Sequence, residues 1–236
     1  MKNAYFKRNW ERQDLTNKGK IPLYAHKCLN KMYLTLFCAL LSSTIGSFDR
    51  LTWDARGLFT VLTAAGTILL LFTTSPLAVR KRVVFLMTAA YFIGASIGLF
   101  TKYLFEIDQG FIFSYLVCTT IGIGTFWVGA MLTGQRSLFI RCVTVSYILM
   151  FIWLVIASNI FGGHIARWML LVWIVLACYM GYIVVYSKEV VYDSRFGDVD
   201  FVNCVVTHMF HLPAILGYYA RLRVAAVIER YKQKKH

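Results

Sequence analysis

The sequence predicts an all-α, polytopic membrane protein, and three observations carry that prediction. Of 236 residues, 58% are apolar and 15% charged, whereas soluble domains run at roughly 45–50% apolar with about a quarter charged. The mean hydropathy is +0.61. Apolar runs close to the roughly 20 residues that cross a bilayer as a helix recur along the chain. Backbone amides in lipid must find their partners inside each segment, so runs of this length are helices. The expectation is six full transmembrane helices and a seventh segment that either crosses or re-enters.

Taken in order, the expected spans are 32–48, 57–74, 83–103, 111–132, 138–161 and 166–185, with 201–226 as the seventh. Short connections and the lack of a fixed repeat make this one domain over 31–228, between a basic cytosolic tail at 1–30 and a basic tail at 229–236. The first thirty residues contain no apolar stretch of signal-peptide type, so the first span is expected to act as an uncleaved insertion signal. Orientation follows from lysine and arginine, which favour cytosolic loops. Lys2, Lys7, Arg8, Arg12, Lys18, Lys20 and Lys27 precede span one, and Arg80-Lys81-Arg82 follow span two. Arg136 and Arg141 follow span four, and Lys188 and Arg195 follow span six. The opposite loops are poorer, with Arg50, Arg56, Lys102 and Arg167, so the N-terminus is cytosolic. Seven crossings then translocate Arg230, Lys232, Lys234 and Lys235, whereas a last segment that dips in and returns keeps them cytosolic. Pro213, close to His208 and His211, favours the second arrangement.

The net charge of +14 sits at span ends and in tails rather than on one face. Anionic headgroups of membrane lipids are therefore the expected partner, and no nucleic acid is. The six cysteines show neither CxxC nor zinc spacing and read as small packing residues. Ala90, Gly94 and Gly98 recur every four residues in span three, the pattern that lets helix backbones approach; Gly122 and Gly129 of span four fit it less well. No Ser/His/Asp set, phosphate-binding loop or metal cluster stands out, so the chain reads as neither an enzyme nor a cofactor protein. His208 and His211 share a helix face, but with Asp198 and Asp200 upstream they make a weak case for zinc. The two aspartates read more simply as the acidic start of a helix.

Charge between membrane-quality runs marks function by default, and 186–213 concentrates it. There Gly197-Asp198-Val199-Asp200-Phe201-Val202 resembles the G-D-x-D-Y signature, followed by isoleucine or valine, that opens the last segment of the Bax inhibitor family. Tyr186-Ser187-Lys188-Glu189-Val190-Val191 falls without a gap on that family's D-T-Q-E-I-I. Leu29-Asn30-Lys31-Met32-Tyr33 resembles its L-x-K-V-Y, Arg82 with 83–98 its R-L-G span, and Arg136-Ser137-Leu138-Phe139 its R-S-Y-L-F. The matches run from about Leu29 to the end, in order. The resemblance implies a negative regulator of apoptosis in the endoplasmic reticulum membrane that modulates calcium homeostasis, as a pH-sensitive calcium leak. Calcium ion, Bcl-2-type death regulators and calcium channels are the partners it implies.

The departures are as informative. The family's two aspartates, thought to share hydrogen bonds and gate a cation path with pH, fall on Tyr186 and His211. Two close carboxylates share a proton because both cannot ionise, and a tyrosine–histidine pair cannot do this. Acid would instead create a positive charge at His211, with reversed electrostatics. Glu189, Asp198, Asp200 and His208 are the supporting polar residues, and Lys232 with Lys234 resembles a dilysine retrieval signal. The alternatives are a non-conducting scaffold that binds death regulators or channels and, more remotely, an intramembrane metal-dependent hydrolase.

Overall fold

The computed structural model describes residues 23–52, 57–105, 109–132, 136–161, 173–174, 176–177, 179–180 and 200–209. Among these, every regular element is an α-helix. They are α1 (Leu23–Thr52), α2 (Gly57–Thr73), α3 (Val79–Phe105), α4 (Gln109–Leu132) and α5 (Arg136–Phe161). A further helical stretch covers 201–209. Five expected spans overlap these five helices, and among the described residues the stretches Leu23–Asp49 and Ile112–Gly129 are long and apolar enough to cross a membrane. The sixth is described only at the positions between 173 and 180, and the seventh only to 209.

Helix α1 begins at Leu23, ahead of the expected start at 32, so its first turns occupy part of the stretch read as a tail. Its 30 residues extend about 45 Å, well beyond a hydrocarbon core of about 30 Å. The excess lies where Lys27 and Lys31 are exposed and suits the headgroup layer. Helices α2 and α3 meet in a tight turn at Pro76, closed by the Ala78 N–H on the Ser75 carbonyl at 3.0 Å.

Helix α1 is central, packing against α3 on one side and α4 on the other; α2 closes on α3, and α5 on α4. The α1–α3 crossing is parallel and very close. A Cβ on Gly94 would overlap the Ser43 backbone, and one on Gly46 would overlap the Tyr91 carbonyl. Ser42 Oγ donates across the gap to the Met87 carbonyl at 2.9 Å. The α1–α4 pair is antiparallel, with Phe48 on Phe113 near one end and Phe37 stacked on Trp127 near the other. Gly122 and Gly129 contribute more than their spacing suggested, since side chains at those positions would run into Met150 and Cys142 of α5.

Unlike a soluble protein, the bundle is apolar on its outer surface as well as in its core. Leu34, Leu41, Ile45 and Phe48 form an exposed stripe on α1, and Val145, Ile148, Ile152 and Val155 one on α5. Phe59, Leu62, Leu69 and Phe72 do the same on α2. Soluble monomers rarely show apolar surface this continuous, whereas lipid solvates it. Set within a core that includes Tyr33, Leu36 and Phe126 are Ser43, Thr44, Ser47, Ser96, Thr119, Thr120 and Ser146. Most satisfy their hydroxyls on their own helix, as Thr119 does on the Tyr115 carbonyl at 2.7 Å and Ser146 on Cys142 at 2.8 Å. Thr44 and Thr120 bond one another between α1 and α4 at 2.9 Å.

Candidate functional site

At the end of the bundle where α1 and α3 begin, the start of α3 meets the start of the 201–209 helix. Arg82 lies in the first turn of α3 and is 3% exposed, although Arg80 and Lys81 beside it are exposed. The helical period decides this. Arg82 shares a face with Leu86 and Ala90, both buried, and its neighbours are rotated outwards. A guanidinium so enclosed needs anionic or carbonyl partners, and both are present. Nη1 donates to Asp200 Oδ2 at 2.6 Å, and Nη2 to Asn203 Oδ1 at 2.8 Å.

Asp200 serves two purposes at once. Its Oδ1 accepts the backbone N–H groups of Val202 at 3.2 Å and Asn203 at 3.4 Å, while its own carbonyl accepts Cys204 N–H at 3.2 Å. That is an N-cap, placed where a carboxylate also meets the positive end of the helix dipole. The other oxygen takes the cation. One carboxylate thereby starts the helix and fastens it to α3, using the charge-assisted bonds that arginine's planar fork favours. Asp200 keeps a third of its side chain exposed while Arg82's is 4% exposed, so water reaches the clamp from the aspartate side.

His208 follows two turns after Asp200 and is fully buried. Its Nδ1 lies 2.9 Å from the Cys204 carbonyl, which can only accept, so Nδ1 is the donor in this bond. The ring is thus tied to its own helix by that bond. Two other polar contacts mark the ends of α1. Trp127 Nε1 donates to Asn30 Oδ1 at 2.8 Å at the Arg82 end, and Tyr91 donates its hydroxyl to Asp49 Oδ2 at 2.7 Å towards the other.

Asp200 and His208 are the two sequence-derived site residues that are described; Tyr186, Glu189, Asp198, His211, Lys232 and Lys234 lie outside the described residues. Asp200 is brought to Arg82 and Asn203, neither of which the sequence reading placed in a site. The signal for Arg82 was its register with Leu86 and Ala90. Asn203 gave none beyond its position one turn after Asp200. Chemically, the arrangement binds and holds: a buried cation, its counter-charge and a capped helix.

A helical bundle apolar on its outer surface, with an arginine buried at one end against the last segment, is that of a helical membrane protein. Over 201 residues the chain is 31% identical to Bax inhibitor 1 of Arabidopsis thaliana, covering 85% of this chain and 81% of that protein. It is 27% identical over 227 residues to Bax inhibitor 1 of Oryza sativa subsp. japonica, covering 96% and 91%. No family model matches the chain, and no solved structure matches it. The chain belongs to the Bax inhibitor family, as a divergent member.

Proposed function

We propose that this chain is a negative regulator of apoptosis in the endoplasmic reticulum membrane and that it acts by modulating luminal calcium through a pH-sensitive leak. The observation that carries the reading is the likeness to two Bax inhibitor 1 proteins over most of the chain. The structure adds support in one respect. The last segment, which by the resemblance carries one of the family's two sensor positions, starts from an ion pair between Asp200 and a buried Arg82, so its position is coupled to the start of α3.

A second reading, a scaffold that binds death regulators or channels without conducting, is favoured by Tyr186 and His211 at the family's aspartate positions. Calcium efflux from proteoliposomes containing the purified chain, scanned from acid to neutral pH, separates the two. A leak shows efflux whose pH dependence changes in His211→Asp. A scaffold shows none until Tyr186→Asp and His211→Asp are combined. Protection of cells against Bax expression by the parent chain tests the anti-apoptotic role itself, and a chain that gives no protection would overturn it.

A further inference from the structure

At the junction of α1, α4 and α5 lies a cavity of about 710 Å³, within the roughly 300–1,000 Å³ typical of small-molecule sites. Phe37, Val128 and Val145 are among the residues that form its apolar wall. Val128 and Val145 are about half exposed, so the cavity opens sideways, out of the bundle. The hydroxyls in the wall are already committed. Thr125 bonds the Ile121 carbonyl at 2.6 Å, and Thr120 bonds the Leu116 carbonyl at 2.8 Å and Thr44. The wall's hydroxyls therefore leave little to replace the hydration of a water-soluble ligand.

One charged residue borders the cavity. Arg141, in the first turns of α5, is exposed and has no carboxylate within ion-pair distance among the described residues. It stands at the end of the bundle that also exposes Lys27, Lys31, Arg80 and Lys81. An apolar slot facing lipid with a cation at its basic end is complementary to one class of molecule. We propose that the groove holds an acyl chain of an anionic phospholipid, with the headgroup phosphate on Arg141. The slot itself would accept the chain of any lipid. The guanidinium supplies the selection, because it binds phosphate through paired N–H donors and favours headgroups of net negative charge.

The test uses the full chain in phosphatidylcholine vesicles doped with a phosphatidylserine that carries a photoactivatable group on its acyl chain. Labelled peptides are then mapped. Labelling is expected to concentrate in 120–145 and to fall about fivefold in Arg141→Ala, the weight of one basic residue at an anionic surface. Arg141→Lys should retain most of it. Val145→Trp should block the slot and remove the labelling with the melting temperature unchanged, since Val145 is half exposed. A phosphatidylcholine probe with the same acyl chain should label the groove several-fold less. Equal labelling by the two probes, or labelling that ignores Arg141→Ala and Val145→Trp, overturns the proposal and leaves ordinary boundary lipid or an apolar peptide as occupant. None of these readouts depends on whether the chain leaks calcium.

Discussion

Arg82 is the residue whose environment differs most from what its neighbours suggest. It sits in a run of three basic residues, yet only it turns inwards, and its charge is balanced by Asp200 across 118 positions of sequence. Truncating it in Arg82→Ala should lower the stability of the detergent-solubilised chain by about 2 kcal/mol, the scale of hydrogen bonds to charged groups. Arg82→Lys should recover only part, because an ammonium cannot reach Oδ2 of Asp200 and Oδ1 of Asn203 with one planar fork. Thermal unfolding of the three chains checks this, and a melting temperature unmoved by Arg82→Ala would dismiss the clamp. The two purposes of Asp200 separate in the same assay. Asp200→Asn keeps a good cap but removes the charge, whereas Asp200→Ala loses both. The alanine variant should therefore be the less stable by about 1 kcal/mol.

At the scale of elements, the α1–α3 pair depends on bare backbone at two places. In lipid no hydrophobic force drives helices together, so close approach and dispersion contacts carry the association. Gly46→Val or Gly94→Val must push the helices apart, since each new side chain would meet backbone rather than a flexible tip. A loss of about 1–3 kcal/mol is expected for each. Gly66 of α2 is the contrast, with nothing within 4 Å of the Cβ it lacks. Gly66→Ala should stabilise the chain by up to about 1 kcal/mol through helix propensity. Unfolding of the three variants in one detergent decides it; equal effects at Gly94 and Gly66 would contradict the close crossing. The Thr44–Thr120 bond between α1 and α4 should show a coupling of only about 0.6 kcal/mol in a double-mutant cycle to valine, as membrane hydrogen bonds commonly do.

For the molecule as a whole, the basic residues predict orientation. In sealed microsomes with the cytosolic face outwards, a cysteine-free chain carrying Ser75→Cys should react with an impermeant maleimide. One carrying Ala55→Cys should react only after permeabilisation, and the reverse pattern would refute a cytosolic N-terminus. Much of this architecture was legible in the sequence, because span length and apolar content answer to the thickness of the bilayer, which acts on each segment separately. Helices α2 to α5 accordingly fall close to their expected ranges, and α1, Leu23–Thr52 against 32–48, overruns its own at both ends. The G-D-x-D-like run at 197–202 likewise gave the family, since a motif is local. What the sequence could not settle was which polar groups meet. Arg82 with Asp200, Trp127 with Asn30, and Ser42 with the Met87 carbonyl are pairings between separate helices. The rotation and offset of each helix against its neighbours fix them. For Ser42 and Met87 they follow from how Gly46 and Gly94 let α1 and α3 close, a property of two surfaces together. The chain by itself determined where its long apolar helices run, because length and apolar content are local; only their packing decided that a cation from the basic run would be buried against the last segment.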